Sequence, residues 1–483
     1  MARSSLITVE RLPQEFLSND RRVITRFFDP GGENRIESVV RRVMQLDHDE
    51  IDHALTQTLR RYSSRHRDIG QVFQQHFHKL ASKHGFPTPQ DQARQLLIGA
   101  YFTMEYSIES AALFNPSIVP APNQEEVPKG SLRLLLSLRA TGEGHVSSLV
   151  FRTGIISSSG ALTFDPPSPF THRIERFEEQ VFEKAWLERT LLAMDASTDS
   201  SKVILAQLNN TFTLQEVEQV CREAEQSHVF LHEAQAILWI CHSNYVLKIP
   251  EDTDPSEIVI FPTTENEIHG IEDARAVRFI DDDKTIRYYA TFTAFDGQKI
   301  RSQLLEMLDM QTIRVHTLQG YYARHKGMAL FPRRIKGKYA MLARCDGENN
   351  FLLTSPDITC WPHAKMIQTP KYPWEFMQIG NCGSPLETDD GWLMLTHGVG
   401  PMREYCIGAT LLDLEDPTRI IGQLDQPLIA PNEQEREGYV PNVVYSCGSL
   451  IHQGRLIIPY ATADSATTFA LVDLDELLDH LRS

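Results

Sequence analysis

The sequence predicts a mainly β protein whose strands close on themselves as a propeller or barrel, with two helical additions. Three observations lead there. From about residue 247 to 473, short strand-like runs alternate with polar turns such as Asp296-Gly297, Gly337-Lys338, Asp346-Gly347 and Asn349-Asn350. Strands so short and so often interrupted favour a closed antiparallel architecture over a parallel sheet with helices between its strands. No strict repeat recurs, so the pattern alone leaves propeller and barrel both open. Helical periodicity, in turn, marks one block before residue 113 and another at about 173–246.

Residues 1 to about 33 are mixed and end in Phe28-Asp29-Pro30-Gly31-Gly32, a turn signal. Ile36, Val39, Val40, Val43 and Met44 then recur at helical spacing. Two more helices are expected at about 48–63 and 66–84, the second closed by Gly85 and Pro87. A fourth is expected from Thr88-Pro89, a cap residue followed by proline at the first helical position, with Ala93, Leu96, Leu97, Ala100, Tyr101 and Met104 on one face. The texture changes at Asn115-Pro116, after which 132–138 and 146–153 read as a strand and its return. The block at 173–246 carries Phe177, Val181, Trp186, Leu187 and Leu191, and reads as an insertion because strands resume at 258–261. The expected organisation is a helical region at 1–113, a β domain at 114–475 interrupted at 173–246, and a tail at 476–483. A short helix is expected at 473–481.

At 483 residues, 41% hydrophobic and 23% charged, the chain has the make-up of a soluble globular protein with one large core or two to three domains. No run approaches the roughly 20 apolar residues of a membrane span. Residues 1–7 show no apolar signal core with a cleavage site, so a cytoplasmic location is expected. A net charge of −17 argues against a nucleic-acid partner, which is bound by neutralising phosphates. A small anion needs only a local basic pocket. The seven cysteines are scattered, with no Cys-x-x-Cys pair, and read as reduced, mostly buried thiols. His48, His53, His66, His76, His78 and His84 show no metal-ligand spacing with carboxylates and read as surface or satisfied helix residues.

The stretch from His269 to Arg344 carries the chemistry. Glu272-Asp273-Ala274-Arg275 puts two carboxylates and an arginine in four residues. In an extended strand Asp273 and Arg275 would point the same way, and their pairing would fix the carboxyl's rotamer. A solvent-exposed ion pair in a turn is the commoner meaning of such a cluster. Lys326 and Arg344 flank the strand-like runs at 329–331 and 339–342, where ordinary surface charge is again the commoner meaning. His397 ends an apolar run, and Asp464 follows another. A carboxyl acid facing cations is what glycosyl transfer to phosphate requires: the acid protonates the leaving oxygen and the cations hold the nucleophile.

Asn115-Pro116, Leu138-Arg139-Ala140, Gly270-Ile271-Glu272-Asp273-Ala274-Arg275 and Ala329-Leu330-Phe331-Pro332 running to Leu342-Ala343-Arg344 come in order. Gly391-Trp392 leading to His397-Gly398-Val399, Gly408-Ala409 with 411–417, and Tyr460 to Asp464 follow. Together, over roughly 113–475, they resemble glycoside hydrolase family 130, the inverting β-mannoside phosphorylases and related β-mannosidases. The resemblance implies a five-bladed β-propeller with its site in the central funnel. It implies Asp273 as general acid, acting through the mannosyl 3-hydroxyl while phosphate attacks the anomeric carbon from the opposite face to give α-mannose 1-phosphate. Lys326, Arg344 and His397 would bind phosphate, and Asn115, Arg139, Arg275 and Asp464 the mannosyl unit. The expected partners are a β-mannoside oligosaccharide and inorganic phosphate as co-substrate, with no metal or organic cofactor, no membrane and a homo-oligomeric state. One departure stands out. Glu387, in Ser384-Pro385-Leu386-Glu387-Thr388, replaces a lysine of many phosphorylases. An acid there would remove a phosphate contact and repel a dianion, which leaves hydrolysis of the same bond as the alternative. A glycan-binding propeller without catalysis is the third reading.

Overall fold

The computed structural model describes residues 7–86, 88–226, 231–298 and 300–483. The helix stop expected at Pro87, and all but the last of the residues read for a leader, lie outside them. The largest sheet has eleven strands, nine of them in two antiparallel runs, with Ile258–Ile260 and His172–Arg173 added beside Ser147–Ile156. Ala112–Pro120, Leu132–Thr141, Ser147–Ile156 and Leu162–Phe164 form the first. Gly270–Ile280, Ile286–Phe295, Ile300–Met307, Thr312–Thr317 and Tyr245–Lys248 form the second. Between the first run and the Gly270–Ile280 strand the pairing is parallel, Gly270 against Ser147. A third unit consists of Ala329–Leu330, Tyr339–Ala343, Asn350–Ser355 and Ala364–Gln368. A fourth consists of Gln378–Asn381, Gly391–Val399, Tyr405–Leu412 and Ile420–Gln423, with Leu386–Thr388 at one edge. The fifth joins Val444–Tyr445, Leu450–His452, Arg455–Thr462 and Ala466–Asp473 to Val9–Phe16.

Side-chain alternation explains how these units pack. Successive strand residues point to opposite faces, so a strand covered on both sides is apolar throughout. Gly391–Val399 is buried along its whole length. Trp392 and Met394 enter a cluster with Phe331 and Leu342 of the third unit. Leu393 and Leu395 enter another with Ile458 and Val472 of the fifth. Val277 and Phe279 of the second unit likewise share a cluster with Leu330 and Met341 of the third, and Leu149 of the first joins Ile271 and Phe292 of the second. Finally, Leu136 and Val150 of the first unit pack with Ile457 and Phe469 of the fifth. Every unit therefore shares a core with the next, and the last with the first.

The N-terminal segment departs from expectation. Val9–Phe16 is a strand paired antiparallel with Ala466–Asp473, and Asn19–Phe27 pairs with Thr103–Glu109. A partner more than four hundred residues away leaves no local trace in the sequence. Four helices do follow, Glu33–Gln45, His48–Tyr62, Ile69–His84 and Gln92–Tyr101, but the helical region ends well before residue 113. The fourth starts later than expected because Asp91, not Thr88, caps it, its carboxylate accepting the Ala93 amide at 3.0 Å. Met104 lies in the strand beyond. The insertion also begins late. His172–Arg173 lies in the sheet, the Phe177 amide bonds the Val246 carbonyl, and helices start at Lys184–Ala193. Asp199–Leu205, Leu214–Gln226 and Leu231–Ser243 complete it around a core of its own. Residues 476–483 are not a loose tail: Leu474–Arg482 is a helix capped by Asp473, and Leu477, Leu478 and Leu481 fill the core between the fourth and fifth units. All seven cysteines are unpaired. Among the described residues no helix is long and apolar enough to cross a membrane.

Candidate active site

Three side chains reach one space because the backbone breaks its regular alternation beneath each. Asp273 lies where the register of Gly270–Ile280 slips between Glu272 and Arg275, with φ 53°. Asn115 lies at a similar slip between Phe114 and Ser117, with φ 48°. Asp464, φ 50°, follows Ala463 in the turn between Arg455–Thr462 and Ala466–Asp473. Bulges re-aim side chains, and Asn and Asp tolerate the left-handed region better than most residues. Strain of this kind persists where surrounding structure imposes it, often at functional sites.

Asp273 Oδ1 accepts from Asn115 Nδ2 at 2.6 Å and from Arg139 Nη1 at 3.4 Å. Arg139 also donates Nη2 to Glu272 Oε1 at 2.8 Å and Nε to Ser147 Oγ at 2.9 Å, and lies over the Phe114 ring. The other Glu272 oxygen accepts from Lys326 Nζ at 2.7 Å. The Lys326 carbonyl accepts from the Arg344 amide, and Arg344 Nη1 stands 3.1 Å from His397 Nε2. His397 packs 4.9 Å from the Tyr445 ring, whose hydroxyl accepts from Arg275 Nη2 at 2.7 Å. Arg275 Nη1 returns to the Asp273 carbonyl at 3.5 Å. The contacts form a closed circuit. Asn381 ties it across one side, its Nδ2 donating to the Gly327 carbonyl at 2.6 Å and its carbonyl 3.2 Å from His397 Nδ1.

Partners fix the histidine's tautomer. Arginine can only donate, so Nε2 accepts and Nδ1 carries the proton towards the Asn381 carbonyl. Burial, then the charges of Arg344 and Arg275, hold the His397 pKa well below its ordinary value, so the ring is neutral. For Asp273, burial pushes the pKa up, but Arg139, Arg275, Lys326 and the Asn115 hydrogen bond outweigh it and hold the carboxyl below the usual range. Asp464 goes the other way: burial and then the Asp273 charge raise it to about 6, against the pull of Arg139 and Arg403. In the free protein Asp464 is thus the easier of the two acids to protonate.

The structure brings Asn115, Arg139, Asp273, Lys326, Arg344 and His397 together, with Asp464 close enough to feel the Asp273 charge. Arg275 differs from expectation. The bulge spoils the alternation that would have paired it with the Asp273 carboxylate, so it meets the backbone carbonyl instead, enclosed at 2% exposure. Glu387 differs too. It faces Trp392 at the edge of the fourth unit and is bound through both oxygens to Arg333, at 2.7 to 3.0 Å. Trp392 is five strand residues from His397, about 17 Å. The supposed loss of a phosphate contact therefore has no geometric basis. Glu272, Asn381 and Tyr445 belong to the circuit and were not singled out as site residues. Glu272 had a signal, its place beside Asp273, whereas Asn381 and Tyr445 are joined to the site only by the fold. On the cationic side, Arg344 Nε is buried without a partner among the described residues. With Lys326 beside it, this side can receive an anion.

Residues 250–483 match the model of glycoside hydrolase family 130, described as β-1,4-mannooligosaccharide phosphorylase. A 1,2-β-oligomannan phosphorylase of Thermoanaerobacter sp. (strain X514) is 32% identical over 218 residues, 44% of this chain and 72% of that protein. The β-1,2-mannobiose phosphorylase of Listeria innocua is 27% identical over 46% of this chain and 63% of its own length. Among solved structures, a complex of the Listeria innocua enzyme with β-1,2-mannobiose is 20% identical and covers 78% of this chain and 93% of that one, with a TM-score of 0.45.

Proposed function

Because the chain belongs to glycoside hydrolase family 130, we propose that it cleaves a β-mannoside with inorganic phosphate, with inversion, to give α-mannose 1-phosphate. One observation carries the reading: a single circuit of contacts holds the Asp273 carboxyl on one side and the Lys326, Arg344 and His397 cluster on the other. Phosphate held by the cations attacks the anomeric carbon. The glycosidic C–O bond breaks, and the leaving oxygen takes the proton that Asp273 supplies. Asn115, Arg139 and Asp464 hold the mannosyl ring, while Arg275 supports Asp273 from behind.

The depressed pKa of Asp273 fits this chemistry once phosphate is counted. Arg139, Arg275 and Lys326 hold the carboxyl ionised in the free protein. A dianion bound beside Lys326 opposes that positive field, raises the Asp273 pKa and lets the acid load its proton. The acid is armed by its co-substrate. We read the five antiparallel units as the blades of a five-bladed propeller, an assignment supported by the core that the last unit shares with the first. The helices at 33–101 and 184–243 are additions to it, and the reaction is cytoplasmic.

The test mixes purified protein with α-mannose 1-phosphate and mannose, glucose or N-acetylglucosamine as acceptor. Phosphate release with one of them supports the reading and names the leaving-side sugar. No release with any acceptor, together with phosphate-independent cleavage of β-1,2- or β-1,4-mannobiose, overturns it in favour of hydrolysis.

A further inference from the structure

The helical insertion touches the β body on the two segments that lead into the site. The first is the loop before Gly270–Ile280. Asn266, buried in that loop, accepts at Oδ1 from Trp239 Nε1 at 2.7 Å and donates Nδ2 to Ser243 Oγ at 2.5 Å. Both partners lie on the last helix of the insertion, Leu231–Ser243. Tyr245, just beyond that helix, donates its hydroxyl to Glu267 at 2.7 Å, and Glu267 in turn accepts the Thr263 amide at 3.0 Å. Four residues after Asn266, Gly270 enters the strand at φ 135°, where a β-carbon would stand only 3.0 Å from Ser147. Ser147 is the residue that orients Arg139. Asp273 follows within one more turn of chain.

The second segment runs from Thr317 to Lys326. The Thr317 amide donates to Asn244 Oδ1 at 2.9 Å, and its hydroxyl to the Ser243 carbonyl at 3.2 Å. Gln319 donates Nε2 to Thr190 Oγ1 of the Lys184–Ala193 helix at 3.2 Å. Here the fit is looser, for a cavity of about 160 Å³ lies between Ala193 and Met194 on one side and Leu318, Gly320 and Ala323 on the other. The insertion thus holds the acid loop by an amide bonded at both ends and the lysine loop by longer bonds.

We propose that the helical insertion is a positioning element of the reaction, with Trp239, Ser243 and Asn266 setting the place of Asp273. The proposal rests on the reading of Asp273 as acid. Neither Trp239 nor Asn266 touches substrate. They act through the short run of chain between Asn266 and Asp273, where a displacement of about 1 Å can cost as much as 100-fold in rate. A buried amide with both ends satisfied by one helix is well suited to this, because its partners leave it a single orientation.

The test compares two substrates in the whole protein. β-Mannobiose needs its leaving oxygen protonated, whereas 2,4-dinitrophenyl β-mannoside leaves as a stable anion without help. Trp239→Phe keeps an aromatic ring in place of the larger indole and removes the N–H. It is expected to slow β-mannobiose cleavage about tenfold while leaving the aryl mannoside within about twofold, with KM for phosphate unchanged. Ser243→Ala removes the other bond to Asn266 and is expected to shift the same ratio, which covers the case of a Trp239→Phe protein that does not fold. An equal loss on both substrates, or no loss on either, overturns the proposal. Because the ratio does not depend on which nucleophile attacks, a wild-type enzyme that ignores phosphate would refute phosphorolysis while leaving this measurement intact.

Discussion

The two halves of the site are built on opposite principles. Around Asp273 the carboxyl oxygen has two donors, the backbone is locked in three left-handed residues, and Arg275 seals the rear. Around Lys326 and Arg344 the charges are less answered: Lys326 has one carboxylate partner and is about a third exposed, and Arg344 Nε is unpartnered, as Arg275 Nε and Asn115 Oδ1 are on the other side. Unpaired buried donors are costly, and a fold keeps them where something else will satisfy them. The difference teaches that the sugar's end is preformed, whereas the anion's end is completed by its ligand.

Attacking the preformed half should cost most. Asp273→Asn is expected to lower turnover of β-mannobiose by about 10²–10⁴ with little change in KM, and unchanged turnover would sink the assignment of the acid. On the other half, Arg344→Ala should act mainly through phosphate, lowering kcat/KM for phosphate about 30- to 100-fold, as the loss of a charged hydrogen bond would. A similar loss in kcat/KM for the mannoside instead would erase the distinction between the halves.

The coupling between the halves gives a third expectation. Asp273 is ionised in the free protein because its pKa is held down. A bound dianion should raise that pKa, so binding of sulfate, which is dianionic near neutral pH and does not titrate there itself, should take up protons. Calorimetry of sulfate binding in buffers of different ionisation enthalpy reads this directly, and proton release would contradict it. Asp464 offers a smaller effect on stability. Its folded pKa, about 6, is raised above the unfolded value. The stability it contributes is therefore full at low pH and lost as pH rises through about 6. Asp464→Asn should then raise the Tm at pH 7.5 more than at pH 5, as thermal denaturation at both would reveal. Smallest of all is Glu387→Gln, expected to leave KM for phosphate within about twofold and to cost about 0–1 kcal/mol of stability through its exposed pair with Arg333.

Much of this half-and-half design was legible in the sequence, but unevenly. Asp273, Lys326, Arg344 and His397 stand in ordered motifs at the ends of strand-like runs, and those runs became strands at 270–280, 339–343 and 391–399. Chemistry confined to one stretch of chain can be read there. Glu387 misled because the resemblance implies a phosphate-binding lysine at its position, whereas its strand pairing with Trp392 carries the side chain away from His397. Arg275 misled because a bulge, invisible to an alternation rule, turned its neighbour. Tyr445 and Asn381 were silent for a different reason: Tyr445 acquires its meaning from Arg275 on another sheet, and Asn381 from Gly327 in the loop before the third unit.

The pairing of Val9–Phe16 with Ala466–Asp473 governs the order in which the molecule can be finished. Thr468 bonds the Leu12 carbonyl across 456 positions of chain. At roughly 5–20 residues per second on the ribosome, the strand made first waits on the order of 20 to 90 seconds for its partner. Until then Leu12 and Phe16, which pack on the core shared by the first and fifth units, have only the first unit's side of that core, such as Phe164, to cover them. A chain in this state offers an unpaired edge and two apolar side chains to any neighbour in the same condition. Synthesis therefore leaves this eight-residue strand waiting for its partner, an interval in which it is open to pairing with another chain.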